Sequence, residues 1–429
     1  MKIKVEQAEY RYVMSLPRPK HVSPRRPGIL FRLLMRLASV PDLCAVHFGY
    51  ADHRPEALKR TPCLVLMNHS SFLDLEIASK ILFPHPYSIV CTSDGFVGKE
   101  WLMRRLGCIP TKKFVTELSL IRDMKYALQE QRMSVLMYPE ASYSFDGRTM
   151  TLPDSLGGLV KLLGVPVVMI RTEGAFARDP LYNGLRKRHV RVRATVDVLL
   201  DAEAVRTTGA EGINAAIRDA FALDYFEWQE KTGVTVTEPF RADGLERILY
   251  RCPLCGTEGR MKGQGTDISC HACGHVWHMD TVGRLQADDG RNPYPHIPDW
   301  YAWEREQVRA ELTEGSYRLD VPVRIGMMVD YHAIYMVGTG RLVHDENGFQ
   351  LTGCDGQLNY TQKPLSSYGL YADYYWYEIG DVICIGNQEA LYYCFPQIEF
   401  PVAKARLAAE ELYRMRKAGT RIAESAGRV

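Results

Sequence analysis

No stretch of this 429-residue chain reaches the roughly 18 consecutive apolar residues of a membrane-spanning helix. The longest apolar runs, such as Ile29 to Val40, are broken by Arg32 and Arg36. The apolar core of a secretory signal is missing too, and prolines come early. Strong net charge is absent: 53 Lys and Arg against 51 Asp and Glu leave +2, which excludes a molecule-wide polyanion binder. A disulfide framework is also absent. Of eleven cysteines, four stand in two tight pairs and the others singly, a usage that suits a reduced compartment and a metal site.

What is present is uneven. Hydrophobic residues make up 46% and charged residues 24%, ordinary for a globular protein with a real core. The length predicts two or three domains. From Met1 to Arg36, nine Lys or Arg face only Glu6 and Glu9, a local +7. Residues 1–27 hold four prolines and no clear period, and read as a basic arm lying loosely on the surface. Gly28 to Val40 repeats Ile29, Leu30, Leu33, Leu34 and Leu37 at helical spacing, with Arg32 and Arg36 on a flank. Two uses of this helix are open: packing on a core, or lying on an anionic bilayer. The second predicts a cytoplasmic protein, peripheral at the inner face of the membrane.

Strands and helices alternate from Pro62 to Leu200. Cys63 to Met67, Ser134 to Tyr138, Val165 to Ile170 and Val190 to Leu199 read as strands. Phe72 to Phe83, Lys99 to Leu106 and Leu118 to Gln131 read as helices, the last with Leu118, Ile121, Met124 and Leu128 on one face. This predicts an α/β layered domain with a mainly parallel sheet over residues 28–240, closed by a helical segment from Gly212 to Lys231. A loop from Asp288 to Asp299 leads to residues 300–429, β-rich from Tyr317 to Phe395 and ending in a helix from Pro401 to Lys417. Antiparallel strands capped by a C-terminal helix are the order of pleckstrin-homology-like domains.

Asn68-His69 follows directly on the strand Cys63 to Met67, where open α/β sheets place their sites. Asp74 lies five residues on, about 140° around a regular helix, so the pair cannot share a helical face. A helix beginning at Ser71 puts Asp74 in its first turn and leaves His69 in the loop, free to fold back. Ser71-x-x-Asp74 is also a capping box, which accounts for the aspartate without chemistry.

Three further segments change the weighting: the loop Gly107-Cys-Ile-Pro-Thr-Lys112-Lys113, the loop Tyr138-Pro139-Glu140 with Ser142, Ser144 and Gly147, and the strand Val165 to Ile170. In this order and spacing, over roughly residues 28–200, the set resembles the four blocks of the glycerolipid acyltransferases typified by 1-acylglycerol-3-phosphate acyltransferase. The resemblance implies transfer of a fatty acyl group from an acyl thioester, on coenzyme A or acyl carrier protein, to a lysophospholipid hydroxyl. His69 is then the general base and Asp74 fixes its tautomer. It also implies acceptor binding by Asn68, Lys112, Lys113, Glu140, Ser142, Ser144 and Arg148, with structural roles for Gly107 and Pro166. The family's third block reads Phe-Pro-Glu-Gly-Thr-Arg-Ser, and here Tyr143 stands where its arginine belongs. Lys112, Lys113 or Arg148 then supplies the charge, or the acceptor is not a phosphomonoester.

Cys252-Pro-Leu-Cys255-Gly and Cys270-His-Ala-Cys273-Gly are separated by fourteen residues, the spacing of a zinc ribbon, here residues 245–282. Four cysteines complete a structural zinc shell, leaving His271, His275 and His278 as bystanders. Four basic residues balance four acids over residues 245–280, which disfavours nucleic acid and leaves a staple or a protein contact. The competing reading of the whole is a non-enzymatic membrane- or protein-binding adaptor, using the ribbon or the C-terminal domain.

Overall fold

The computed structural model describes residues 3–115 and 117–426, with side chains described to residue 419. In the α/β domain the strand order is Gly49–Asp52, Arg193–Leu200, Val167–Glu173, Leu64–Met67, Ser134–Met137, Tyr87–Thr92 and Cys108–Thr111. The last five run parallel, and Arg193–Leu200 turns antiparallel onto Val167–Glu173. Leu64 to Met67 are all buried because helices cover both faces of the sheet. Val65, Leu136 and Val168 pack with Ile77 and Ile81 of the helix Leu73–Leu82 on one face. Leu64, Leu66, Val135 and Met169 pack on the other with Met124, Val160, Ile213 and Ile217 from three further helices. The parallel strands all end at one edge, and the loops carrying His69, Lys113 and Glu140 gather there.

Residues 261–286 form a four-stranded antiparallel sheet. A helix, Ile297–Glu314, leads to the C-terminal sheet. That sheet is a four-strand meander from Leu319 to Gln362 and a three-strand meander from Tyr371 to Pro396. The first and last strands, Leu319–Met328 and Leu391–Pro396, join the two, and the helix Val402–Ala426 follows. One continuous core unites the parts: Phe145, Phe176 and Tyr225 of the α/β domain, Trp277, Trp300, and Leu407 of the terminal helix.

Several expectations need correction. Residues 1–27 are not all loose: Val5–Gln7 pairs in parallel with Ile334 to Met336, a part of that strand that Gly348–Gly353 does not reach, and Tyr10–Ser15 is helical. The segment Gly107 to Lys113 is not simply a loop, because Cys108–Thr111 is a strand. It is an edge strand, which is where Pro110 can be tolerated. The closing segment is two helices, Ala210–Phe221 and Tyr225–Thr232. Leu118 is 79% exposed, and the side of its helix that packs on the core is Leu120, Met124 and Leu128. The helix Ile29–Ala38 buries none of its residues fully. Its apolar stripe faces outward, with Leu30 62% and Leu34 53% exposed, while Phe31 and Met35 are the half-buried side.

Candidate active site

The turn after Met67 is held by side chains from distant parts of the chain. Asn68 spans to the next strand, its Oδ1 accepting from Thr172 N at 2.7 Å and its Nδ2 donating to Thr172 O at 3.1 Å. The Tyr225 hydroxyl accepts from Asn68 Nδ2 at 2.7 Å and Ser70 Oγ at 2.9 Å, and donates to Thr172 O at 2.9 Å. The Glu140 carboxylate takes His69 N at 3.0 Å and Met150 N at 2.8 Å, and Ser144 N donates to His69 O at 3.1 Å. The backbone of His69 is therefore clamped from both sides by the Pro139-Glu140 loop. Ala141, in that loop, has φ 57°, a left-handed conformation costing roughly 1–2 kcal/mol in a residue with a Cβ.

Asp74 lies in the first turn of its helix and is fully buried. Its Oδ2 accepts from Ser70 N at 2.7 Å, Ser71 N at 3.0 Å and the Nδ1 side of His69 at 3.1 Å. The capping arrangement and the histidine contact therefore use one oxygen and do not compete. With Nδ1 donating to a carboxylate, Nε2 is left as the basic nitrogen. The imidazole is stacked on Tyr138 at 4.1 Å between centroids and flanked by Tyr143 at 4.4 Å. Burial pulls the His69 pKa below the ordinary 6.5, against the opposing pull of Asp74. Burial also pushes the Glu140 carboxyl up to about 7.

The remaining expected binding residues divide. Lys113 stands with its ammonium 3.9 Å from the ring centre of Tyr371, and Lys112 donates to Gln388 O, both contacts to the C-terminal domain. Ser142 Oγ accepts from Arg406 Nη1 at 3.0 Å. Ser144 Oγ donates to Arg148 O at 2.6 Å and accepts from Gly147 N at 3.0 Å. The Arg148 guanidinium is spent on Asp224 at 2.8 Å and Asp299 at 2.7 Å. Sequence reasoning missed Tyr225, Tyr371 and Arg406. None has a local signal, since each reaches the site from more than 150 residues beyond His69.

Comparisons with known proteins concern the region that carries this geometry. Residues 50–172 match the family model described as Acyltransferase. The α/β domain is acyltransferase-like. The chain is 30% identical over 118 residues to the chloroplastic 1-acyl-sn-glycerol-3-phosphate acyltransferase of Brassica napus, a stretch covering 27% of this chain and 33% of that protein. It thus spans about a third of the length of this curated relative. Among solved structures, the 1-acyl-sn-glycerophosphate acyltransferase PlsC of Thermotoga maritima is similar at 14% identity with a TM-score of 0.34, covering 44% of this chain and 76% of that one.

Outside the acyltransferase-like region, Cys252, Cys255, Cys270 and Cys273 bring their sulfurs within 4.8 Å of one another. Gly256 and Gly274, at φ 72° and 75°, turn the chain back after each pair. His278 is engaged with Asp267 at 2.8 Å and His275 lies 3.4 Å from Asp289, both outside the cluster.

Because burial is the first cause of the low His69 pKa, uncovering the ring should raise it. An NMR titration of His69 is expected to give a midpoint below 6.5, and Tyr143→Ala should move it upward. An upward-shifted midpoint already present in the wild-type protein would contradict the buried placement.

Proposed function

We propose that the protein transfers a fatty acyl group from an acyl thioester to the hydroxyl of a lysophospholipid, with 1-acylglycerol-3-phosphate the leading acceptor, in phospholipid biosynthesis. The observation that carries the reading is the contact of His69 Nδ1 with Asp74 Oδ2 at the end of a parallel strand, inside an acyltransferase-like domain. His69 Nε2 takes the proton of the acceptor hydroxyl as its oxygen attacks the thioester carbonyl. The thiolate then leaves with the carrier. Asp74 holds the tautomer and stabilises the imidazolium while the proton is on the ring. The acceptor oxygen attacks directly, so no protein nucleophile is required.

The outward apolar stripe of Ile29–Ala38 supports work at a membrane surface. Trp101, 65% exposed, extends the stripe, its ring 6.3 Å from Phe31 and 4.5 Å from the Arg105 guanidinium. Apolar groups with Arg36 on the same helix and Arg105 against Phe31 and Trp101 suit an anionic bilayer. Among the described residues no helix is long and apolar enough to cross a membrane.

The four cysteines fit a structural zinc. A tetrahedron with Zn–S of about 2.3 Å has edges of about 3.8 Å, and Cys252–Cys273 and Cys255–Cys270 lie at 3.8 and 3.7 Å. Zinc there would staple the two knuckle turns together, remote from the His69 chemistry. We read the β-rich C-terminal domain, with its antiparallel strands followed by a helix, as a pleckstrin-homology-like unit.

Four outcomes check these readings. Purified protein given labelled acyl-coenzyme A and a panel of lysolipids should form acylated product, and His69→Ala should lower kcat by about 10²–10⁴-fold. Since the base must be neutral and its pKa is lowered, activity should persist as pH falls through 6.5 and be lost only below it. No product from any acceptor, or full activity in His69→Ala, would contradict the assignment. Vesicles rich in phosphatidylglycerol should co-sediment the wild-type protein but not a Leu30→Glu, Leu34→Glu variant; equal binding by both would exclude this docking face. Elemental analysis should find about one zinc per chain, and a folded zinc-free protein would remove the ribbon assignment.

A further inference from the structure

Two cations beside His69 stand out by their surroundings. Lys113 is mostly buried, its ammonium resting on the Tyr371 ring, and among the described residues no carboxylate oxygen lies within 4.0 Å of it. Leaving a desolvated ammonium without a close anion is unfavourable unless an anion arrives from outside. The second is Arg406, 2% exposed, on the C-terminal helix. Its Nη1 donates to Ser142 Oγ at 3.0 Å, next in sequence to the Tyr143 that flanks His69. Its guanidinium lies 4.3 Å from the centre of the Phe145 ring. Among the described residues its one ion-pair partner, Glu410 at 3.2 Å, is shared with Arg305 at 2.8 Å, so one carboxylate serves two guanidinium groups.

The two groups meet opposite faces of the strand Tyr371–Trp376, and burial, helped by the Arg406 charge, holds the Lys113 pKa below its ordinary value. Tyr371 carries Lys113, and Tyr374 packs on Phe145 at 5.0 Å, beneath Arg406. The acids whose charge reaches Lys113 are Asp94 and Asp373, neither within ion-pair distance of it. Asp94 accepts from the Tyr371 hydroxyl at 2.9 Å, and Glu140 holds two backbone amides. Asp373 accepts from Tyr374 N at 2.8 Å, and burial pushes it up to about 6.

From this arrangement we infer that Arg406 and Lys113 together bind a phosphate group on the acceptor, so that the C-terminal domain completes the acyltransferase site. A phosphate brings the missing negative charge and matches a guanidinium fork and a point-charge ammonium. The role follows from contacts made across the two domains, and Arg406 lies outside the region matched by the acyltransferase family model. The inference rests on the proposed acyl transfer for its chemistry but concerns binding.

The test uses the full chain, with 1-acylglycerol-3-phosphate and the phosphate-free 1-acylglycerol as acceptors of equal chain length. Arg406→Gln and Lys113→Gln should each raise KM for the phosphate acceptor at least about tenfold, with KM for the phosphate-free one unchanged. Asp373→Asn, which removes an opposing charge, should lower KM for the phosphate acceptor. Adding Tyr143→Arg to Arg406→Gln should restore part of the loss. Equal effects on both acceptors would mean that Arg406 only docks a helix, and would overturn the inference. Calorimetry with a short-chain 1-acylglycerol-3-phosphate separates the two claims. Wild-type binding weakened in Arg406→Gln, with no turnover in either, would sink acyl transfer and keep the phosphate site; no difference in binding would sink the phosphate site itself.

Discussion

One carboxylate oxygen, Oδ2 of Asp74, receives donors from Ser70, Ser71 and His69, and the local structure depends on it. A carboxylate in the first turn of a helix is favoured by the positive end of the helix dipole and by free amides. Those same amides stabilise its charge, although Asp74 has no exposure to water. The cap therefore fixes the carboxylate, and the carboxylate fixes the imidazole. Glu140 repeats the device from the neighbouring loop by fixing the main chain of His69 rather than its ring. Asn68 and Tyr225 tie the turn to the adjacent strand.

The site is not confined to the acyltransferase-like domain. Arg406 and Tyr371 bring the C-terminal domain against the Pro139-Glu140 loop and Lys113, and the four-cysteine unit contacts that domain through Glu258. Glu304, in the helix Ile297–Glu314, accepts from Arg251 N at 2.8 Å, and Trp300 Nε1 donates to Arg251 O at 3.0 Å. Lys404, two residues before Arg406, pairs with Glu258 of the four-cysteine unit and Glu311, each at 2.8 Å. These contacts link the four-cysteine unit to the position of Arg406. Removing any one part would loosen a shared core more than it would free an independent module.

The sequence made the contact of His69 with Asp74 legible because both residues lie within one short turn, where strand end, cap and spacing can be read together. The central strands were legible for a similar reason: Leu64–Met67 and Ser134–Met137 are continuous apolar runs covered on both faces. Cys108–Thr111 escaped notice because Pro110 reads as a break until the strand is known to lie at an edge. Tyr87–Thr92 (YSIVCT) carried a usable signal, six residues rich in β-formers just after a proline. Tyr225 and Arg406 carried none. Their partners Ser70 and Ser142 are 155 and 264 residues away, and nothing local in a tyrosine or a helical arginine names such a partner. The Ile29–Ala38 helix shows the converse limit, since its periodicity was clear but not which way its stripe would face.

The dependence of His69 on Asp74 is tested most directly by the steady-state kinetics of Asp74→Asn. The amide keeps the size of the side chain but loses the charge and offers N–H where an acceptor is needed. The account predicts a fall in kcat of about 10²–10⁴-fold with KM for the acceptor little changed. A kcat within about twofold of wild type, in a folded variant, would contradict the assignment of His69 and Asp74 as base and orienter.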